Sequence, residues 1–257
     1  MRVIPRRRRE RDTAMTVVEH LEELRKRLLI SVVAIGLGSI LGFVFYRWIF
    51  GFLLGPYRDA LQALPPQARP PGVLARNLIA TSPTEPFITF LKIGLFTGFF
   101  VALPIVLYQL WRFVTPGLTT RERRLAIPFI VVSLALFAAG VFFAFTVAPR
   151  GLRFLFSFGG QNLIPLLTVD RYLSFLMFLI LAFGLGFEMP IVLLFLTGAG
   201  VIDSRQLRRW RRYALLGTAV FAAIATPTQD PYTMLLMWLP LYVLYEGAIL
   251  VARLFKR

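Results

Sequence analysis

The most suggestive charged segment is Gln109–Arg124, which lies between two long apolar stretches. It holds four arginines but a single carboxylate, Glu122. Pro116-Gly117 predicts a turn, because proline fixes φ and glycine tolerates positive φ, and Phe113 adds an apolar ring beside it. Two interpretations follow: the loop recognises a basic, partly apolar peptide, or it is a positively charged membrane anchor with one isolated carboxylate.

A second charged segment near the N terminus carries acids at helical spacing. Thr16–Glu19 predicts a capping box at a helix start. Glu22/Lys26 and Glu23/Arg27 then fall four residues apart in the favourable acid-before-base order. Apolar residues line the other side, so this segment predicts an amphipathic helix that lies at the membrane surface and continues into the first span.

The remaining polar groups argue against enzymatic chemistry. Glu188 lies deep in an apolar segment beside Pro190; a carboxylate there is costly, so a functional role is favoured over a structural hydrogen bond. Glu246, near the end of the last apolar segment, is interpreted as structural. The chain has no Cys and one His, which leaves little material for metal or histidine chemistry. We therefore predict no enzymatic activity, no cofactor and no metal.

Composition indicates a polytopic α-helical membrane protein. Hydrophobic residues make up 57% of the 257 residues, and several apolar runs reach the roughly 20 residues that cross a hydrocarbon core. The net charge is +16, but the basic residues cluster at the ends of these runs. That pattern favours contact with lipid headgroups over nucleic acid. The predicted fold is all-α, with six transmembrane helices.

The spans are predicted at about 28–50, 87–111, 125–147, 172–197, 213–226 and 232–251. The fifth and sixth form a short helical hairpin; 14 residues reach about 21 Å, so the bilayer would thin there. The loops 51–86, with a short helix near Tyr57–Leu64, and 149–171 lie on one side. A disordered basic tail, 1–14, precedes a single membrane domain, 15–253, and a short basic tail, 254–257, follows it.

The distribution of Lys and Arg predicts the orientation. The terminal segments and the loops around 112–124 and 198–212 hold 21 of these residues, whereas the other loops hold six. The positive-inside rule then places both termini in the cytoplasm. Gly38–Gly42 and Gly94–Gly98 match the small-xxx-small motif of close helix contacts, and packing within the chain is favoured over a dimer face.

Six short motifs recur in a recognisable order along nearly the whole chain, about 16–253. They are His20–Arg27, Ser82–Phe87, Pro104–Phe113, Pro116–Leu118 with Glu122–Arg124, Phe183–Pro190 and Thr226–Met234. Together they resemble TatC, the multispanning receptor subunit of the twin-arginine protein translocase. The resemblance implies a cupped helical bundle in the cytoplasmic (inner) membrane that binds twin-arginine signal peptides of folded proteins. It also implies single-span TatA/TatB-type partner subunits along the fifth helix, transport driven by the proton-motive force, and a homo-oligomer within the receptor complex.

The resemblance also implies roles for individual residues. The signal-peptide-binding positions are Glu23, Arg25, Phe113 and Glu122. Partner docking falls on Thr226 and on Met234, where the family often has Gln, and Ala222 is expected on the lipid face of the fifth helix. Pro56 and Pro104 shape a loop and a span, and Glu188 belongs on the concave face. A proton-coupled membrane transporter that uses Glu188 remains the alternative.

Overall fold

The described part of the protein consists mainly of α-helices. The computed structural model describes residues 17–66, 69, 78–114, 126–157, 167–198, 200–226 and 231–255. This part of the chain contains ten helices, numbered in chain order: α1 (Val17–Val44), α2 (Tyr46–Leu53), α3 (Gly55–Gln62), α4 (Glu85–Val114), α5 (Ala126–Ser157), α6 (Val169–Phe187), α7 (Met189–Gly198), α8 (Ser204–Arg209), α9 (Arg211–Ala225) and α10 (Pro231–Phe255). The all-α prediction is confirmed. The predicted tail 1–14 lies outside the described residues.

Five helical stretches among the described residues are long and apolar enough to cross a membrane. They are Val18–Val44, Glu85–Phe113, Ile127–Ser157, Val169–Gly198 and Pro231–Arg253. The predicted fifth span corresponds to α9, which has 15 residues. Such a helix rises about 22 Å and falls short of a hydrocarbon core of about 30 Å. A sixth crossing by α9 therefore remains a prediction.

The first span and the segment before it form one helix. α1 runs through 28 residues from Val17 to Val44 without a break. It therefore extends about 42 Å, which is longer than the hydrocarbon core. The predicted N-terminal helix therefore continues into the first span, as expected, and its place at the membrane surface remains a prediction. α1 ends at Val44, and α2 begins at Tyr46, after Phe45.

Short helices fill part of the predicted loop after the first span. α3 was expected near Tyr57–Leu64 and instead occupies Gly55–Gln62. It begins earlier because Pro56 lies in its first turn, where the missing N–H has no helical partner to lose. Pro56 is buried, and the hydroxyl of Tyr172 donates to the carbonyl of Leu53 just before α3, at 2.6 Å. Pro56 thus lies at the start of α3, and its role in shaping the loop remains a prediction.

Helices α1 and α4 pack through glycines at backbone distance. A Cβ placed on Gly42 would lie 2.7 Å from the carbonyl oxygen of Gly94, and one on Gly38 would lie 2.8 Å from that of Gly98. Both distances are too short for a real side chain, so these positions admit no side chain larger than hydrogen without separating the helices. The two small-xxx-small motifs therefore meet each other within the chain, as predicted.

Helix α5 is longer than the sequence indicated. It continues through Pro149 to Ser157, whereas a loop was predicted from residue 149. Pro149 has no N–H for the carbonyl of Phe145, and the guanidinium of Arg150 donates to the neighbouring carbonyl of Thr146, at 2.6 Å. The added turns bury Leu152 in the main apolar core. Burial there outweighs the local cost of the proline.

The helices form a row in which α1 and α9 stand at the two ends. α1 packs mainly on α4, α4 packs on α5 and α6, α10 packs on α5 and α7, and α9 packs mainly on α10. This open row agrees with the predicted cupped bundle. We call the end where α1 begins and α10 ends the basic end, and the other the far end.

A buried carboxylate ties two helix starts together at the far end. Glu85, at the beginning of α4, is 6% exposed. It accepts the backbone N–H groups of Thr81 at 2.7 Å and of Asp170 at 2.8 Å. The ammonium group of Lys92 pairs with the Asp170 carboxylate and also donates to the hydroxyl of Ser174, at 2.9 Å. These contacts fix the start of α6 relative to α4.

Candidate functional site at the basic end

The first turns of α1 meet the last turn of α4 at the basic end. The ring of His20 stacks on the ring of Phe113, with centroids 4.4 Å apart and planes inclined by 21°. The end of α4 is held in place by Trp111, whose ring packs 4.8 Å from both Phe129 of α5 and Phe195 of α7. An aromatic surface is therefore anchored to three helices where the predicted binding loop begins.

Glu23 shares a face of α1 with His20, because the two residues are three apart in a helix. Its Oε1 atom accepts from the guanidinium of Arg27. Its Oε2 atom is buried and has no hydrogen-bond partner among the described residues. The carboxylate is thus oriented by one contact while half of its acceptor capacity is unused. A buried acceptor without a partner is costly, so a further donor at this position would be stabilising.

Of the two remaining predicted recognition residues, Arg25 lies within the described part of the chain and Glu122 lies outside it. Arg25 lies on α1 and is exposed. Glu122 and its neighbours 115–125 lie outside the described residues. His20 shares a face of α1 with Glu23 and stacks on Phe113, so it connects these two predicted residues. The role predicted for Glu122 remains a prediction.

This arrangement can bind a cationic planar group. A guanidinium needs a carboxylate that accepts in its plane and gains further from an aromatic face beside it. Glu23 offers the acceptor, and the stacked His20 and Phe113 rings offer the aromatic surface. His20 was not selected from the sequence as a site residue. Its position three residues before Glu23, in a chain with one histidine, was the available signal.

Glu188 lies at the break between α6 and α7. Its backbone N–H bonds to the carbonyl of Leu185, at 3.1 Å, in the tighter spacing of a final helical turn. Pro190 follows in the first turn of α7 and has no N–H to continue the ladder. The hydroxyl of Ser133 on α5 hydrogen-bonds to the Glu188 carboxylate, and the Oε1 atom is buried without a partner in the described part of the chain.

The predicted partner-docking residues are placed unevenly around the α9–α10 hairpin. Thr226 is 1% exposed, and its hydroxyl donates to the carbonyl of Ala222, at 2.9 Å. Met234 is half-buried against the main core. Ala222 is fully buried, so its expected place on the lipid face is wrong. The lipid-facing stripe of α9 consists instead of Leu216, Val220 and Ile224, at intervals of four residues.

Pro104 lies within α4 and faces outward. The helix continues past it to Val114 without interruption. It therefore lies in a span, as the sequence predicted, and belongs to the helix whose last turn carries Phe113.

Comparisons with known proteins agree along the length of the chain. The model of a family described as Sec-independent protein translocase protein (TatC) matches residues 19–240. The TatC protein of Aquifex aeolicus is 42% identical, covering 95% of this chain and 97% of the relative. That of Frankia casuarinae is 41% identical, covering 96% of this chain and 68% of the relative. The chloroplastic protein of Oryza sativa is 35% identical over 96% of this chain and 65% of the relative.

The fold is also similar to a solved structure. A crystal structure of the twin-arginine translocase receptor TatC aligns with a TM-score of 0.77 and 41% identity. The alignment covers 93% of this chain and 100% of that chain. Sequence and architecture therefore point to the same family.

Proposed function

The chain belongs to the TatC family of Sec-independent protein translocase proteins, a non-enzymatic family of multi-pass membrane proteins, and we propose that it binds twin-arginine signal peptides at its basic end. The solved structure that it resembles is named as the twin-arginine translocase receptor. The observation that carries the proposal is the Glu23 carboxylate. Its Oε2 atom is buried without a hydrogen-bond partner among the described residues, and Glu23 lies on the same face of α1 as the His20 that stacks on Phe113.

The chemistry of an arginine pair fits this site better than that of a lysine pair. A guanidinium is planar, forms directed bonds with a carboxylate and stacks on aromatic faces. An ammonium group is compact, strongly hydrated and lacks that planar fork. In the proposed complex one arginine of the peptide donates to Glu23 while its plane lies against Phe113. The second arginine pairs with Glu122 in the adjoining loop.

Crosslinking a signal peptide to the receptor tests this function. A photoreactive group beside the arginine pair should label α1 or the end of α4 in membrane vesicles. A matched peptide with Lys-Lys should label at least tenfold less, which corresponds to about 1.4 kcal/mol. Equal labelling by the two peptides would show that charge alone governs binding and would remove the basis of the proposal.

We also propose that the basic end faces the cytoplasm. The supporting observation is the excess of Lys and Arg there. Because the chain has no cysteine, single cysteines report topology cleanly. Arg58→Cys at the far end should react with an impermeant thiol reagent in intact cells, and Arg209→Cys should react only after lysis. The reverse pattern would invert the assignment.

Single-span partner subunits are proposed to dock along α9. This helix is too short to match the bilayer, so a helix beside it would cover the thinned edge. Ile224 is 73% exposed on its lipid face. Ile224→Trp should reduce co-purification of the partner while peptide binding is unchanged. Val131→Trp, on an exposed position of α5, is the control; if it alone releases the partner, the docking surface lies on α5.

Glu188 separates the receptor from a proton-coupled transporter. The observation that favours a polar role is the Oε1 atom of Glu188, which is buried within a span and has no hydrogen-bond partner among the residues that the structure describes. If Glu188 organises polar contacts, Glu188→Gln should keep much of the transport activity and Glu188→Leu should lose more. If it carries protons, both variants should be equally inactive. A Gln variant that binds signal peptide but transports nothing would favour the proton role.

A further inference from the structure

A groove at the basic end of α9 has an apolar floor. Leu193, Leu207, Trp210, Tyr213, Ala214 and Tyr245 line it, and its volume is about 380 Å³. The floor is rigid because Leu207 is fully buried and the hydroxyl of Tyr245 donates to the Leu207 carbonyl, at 2.7 Å. Trp210 and Tyr213 form its exposed edge. Such amphipathic rings prefer the level of the lipid headgroups, so the groove opens at the membrane interface.

Five arginines lie within two residues, along the chain, of the lining residues Leu207, Trp210 and Tyr213. The arginine rim consists of Arg205, Arg208, Arg209, Arg211 and Arg212, all of them exposed. Arg211 is neutralised by an ion pair with Glu246. The guanidinium of Arg212 lies beside the groove, bonded to the hydroxyl of Tyr213 at 2.9 Å.

Three of the rim arginines have no acidic partner among the described residues. Arg205, Arg208 and Arg209 form no ion pair with any carboxylate in the described part of the chain. A cluster of unpaired positive charge at a membrane interface attracts an anion that stays at that level. A ligand that fits the groove therefore carries a negatively charged group near the arginines and an apolar group on the floor.

We propose that the groove and the arginine rim bind one anionic glycerophospholipid. The headgroup phosphate would accept from the rim guanidiniums, and part of one acyl chain would lie on the apolar floor. Basic pockets between transmembrane helices are suited to such headgroups, and each Lys or Arg near the surface contributes about 1 kcal/mol. None of the residues that line the groove belongs to α1 or α4, which carry Glu23 and Phe113.

A lipid fits this place better than a protein helix does. The lining is apolar and aromatic, whereas the residues next to it along α8 and α9 are exposed arginines, and a phospholipid combines these two chemistries in one molecule. A transmembrane helix would bring no comparable negative charge to the rim unless it were acidic at that level. The floor, at about 380 Å³, is also the size of a small-molecule pocket rather than of a helix–helix interface.

Native mass spectrometry of the purified protein in detergent tests the site, with phosphatidylglycerol and phosphatidylcholine as probes. The wild-type chain should retain one phosphatidylglycerol in preference to phosphatidylcholine. Arg208→Gln/Arg209→Gln should weaken that binding by about tenfold or more. Ala214→Trp, which fills the groove, should weaken it as well. Tyr213→Ala removes an exposed wall and gives a second groove variant in case Ala214→Trp fails to fold.

Two controls separate the site from general surface charge. Arg58→Gln/Arg150→Gln removes the same charge from exposed positions at the far end, and Leu216→Trp adds the same bulk to the lipid face of α9. Both should bind phosphatidylglycerol as the wild type does. Equal loss in the Arg58/Arg150 control, retention in both groove variants, or occupation by a second copy of the chain would overturn the proposal.

Discussion

The α1–α4 pair and the α9–α10 pair are held together by different physical means. α1 and α4 meet through four glycines whose backbones approach so closely that no Cβ fits. α9 and α10 are joined by polar contacts near the basic end. Arg211 pairs with Glu246, and the indole N–H of Trp238 donates to the carbonyl of Leu215, at 3.2 Å. Beside the second pair a further apolar groove, next to the one described above, remains open.

The difference separates a fixed part of the molecule from an adaptable one. Close packing of backbones has few alternative geometries, so α1 and α4 hold His20 and Phe113 in register. The hairpin keeps an open groove of about 400 Å³, which is lined by residues of α6, α7, α9 and α10. An open groove of this kind suits reversible binding. We therefore expect substitutions between α1 and α4 to be tolerated less well than substitutions that line the groove beside α9 and α10.

The largest effect is expected at the glycine contact. Gly42→Leu places a side chain where even a Cβ would lie 2.7 Å from the Gly94 carbonyl oxygen. Overpacking of this kind costs typically about 1–3 kcal/mol and occasionally more. Thermal unfolding of the purified protein should show a marked loss of stability.

Gly36→Leu is the matched control for that change, because a Cβ at Gly36 meets nothing within 4 Å. Its stability should be close to that of the wild type. Leu is a better helix former than Gly, so helix propensity predicts no loss in either variant. Similar losses in the two variants would mean that added bulk anywhere on α1, and not the α1–α4 contact, lowers the stability.

An intermediate effect is expected at Glu85, where polar contacts are buried. Glu85→Ala leaves the N–H groups of Thr81 and Asp170 without their acceptor. A buried donor left unpaired costs about 1–3 kcal/mol. Unfolding midpoints in detergent should fall accordingly, while exposed Ser82→Ala should leave them unchanged. A Glu85→Ala protein as stable as the wild type would show that the two N–H groups find other acceptors.

The smallest effect is expected at the polar contact of the hairpin. The Arg211 and Glu246 side chains are 47% and 29% exposed. Exposed pairs contribute below about 1 kcal/mol, because water and salt screen them. Glu246→Gln should therefore shift the unfolding midpoint little and keep the contact with Tyr242. A loss as large as that of Gly42→Leu would remove the contrast between the two pairs.

Sequence patterns predicted the helices better than their contacts. Apolar length located the long spans, and the small-residue motifs correctly indicated a contact within the chain, because both signals are local. The extension of α5 past Pro149 was missed, since the apolar partner that buries Leu152 comes from distant sequence. Ala222 was assigned to the lipid face for the same reason, because which side of α9 meets α10 is a tertiary property.

The candidate site was predicted in part. Glu23 and Phe113 were selected by resemblance to the family, but no local pattern showed that His20 joins them. That contact depends on the register between α1 and α4, which the glycines set. The Ser133 contact of Glu188 likewise crosses between helices. Register of this kind is not encoded in periodicity or composition.

A double-mutant cycle on peptide binding tests the central claim most directly. The claim is that Glu23 and Phe113 form one recognition site for an arginine pair. Affinity of the purified protein for a twin-arginine signal peptide should be measured for Glu23→Gln, Phe113→Ala and the double variant. Contacts to the same group are coupled by about 0.5–3 kcal/mol. The combined loss should therefore be smaller than the sum of the single losses. Strictly additive losses, or unchanged affinity in all three variants, would contradict the claim.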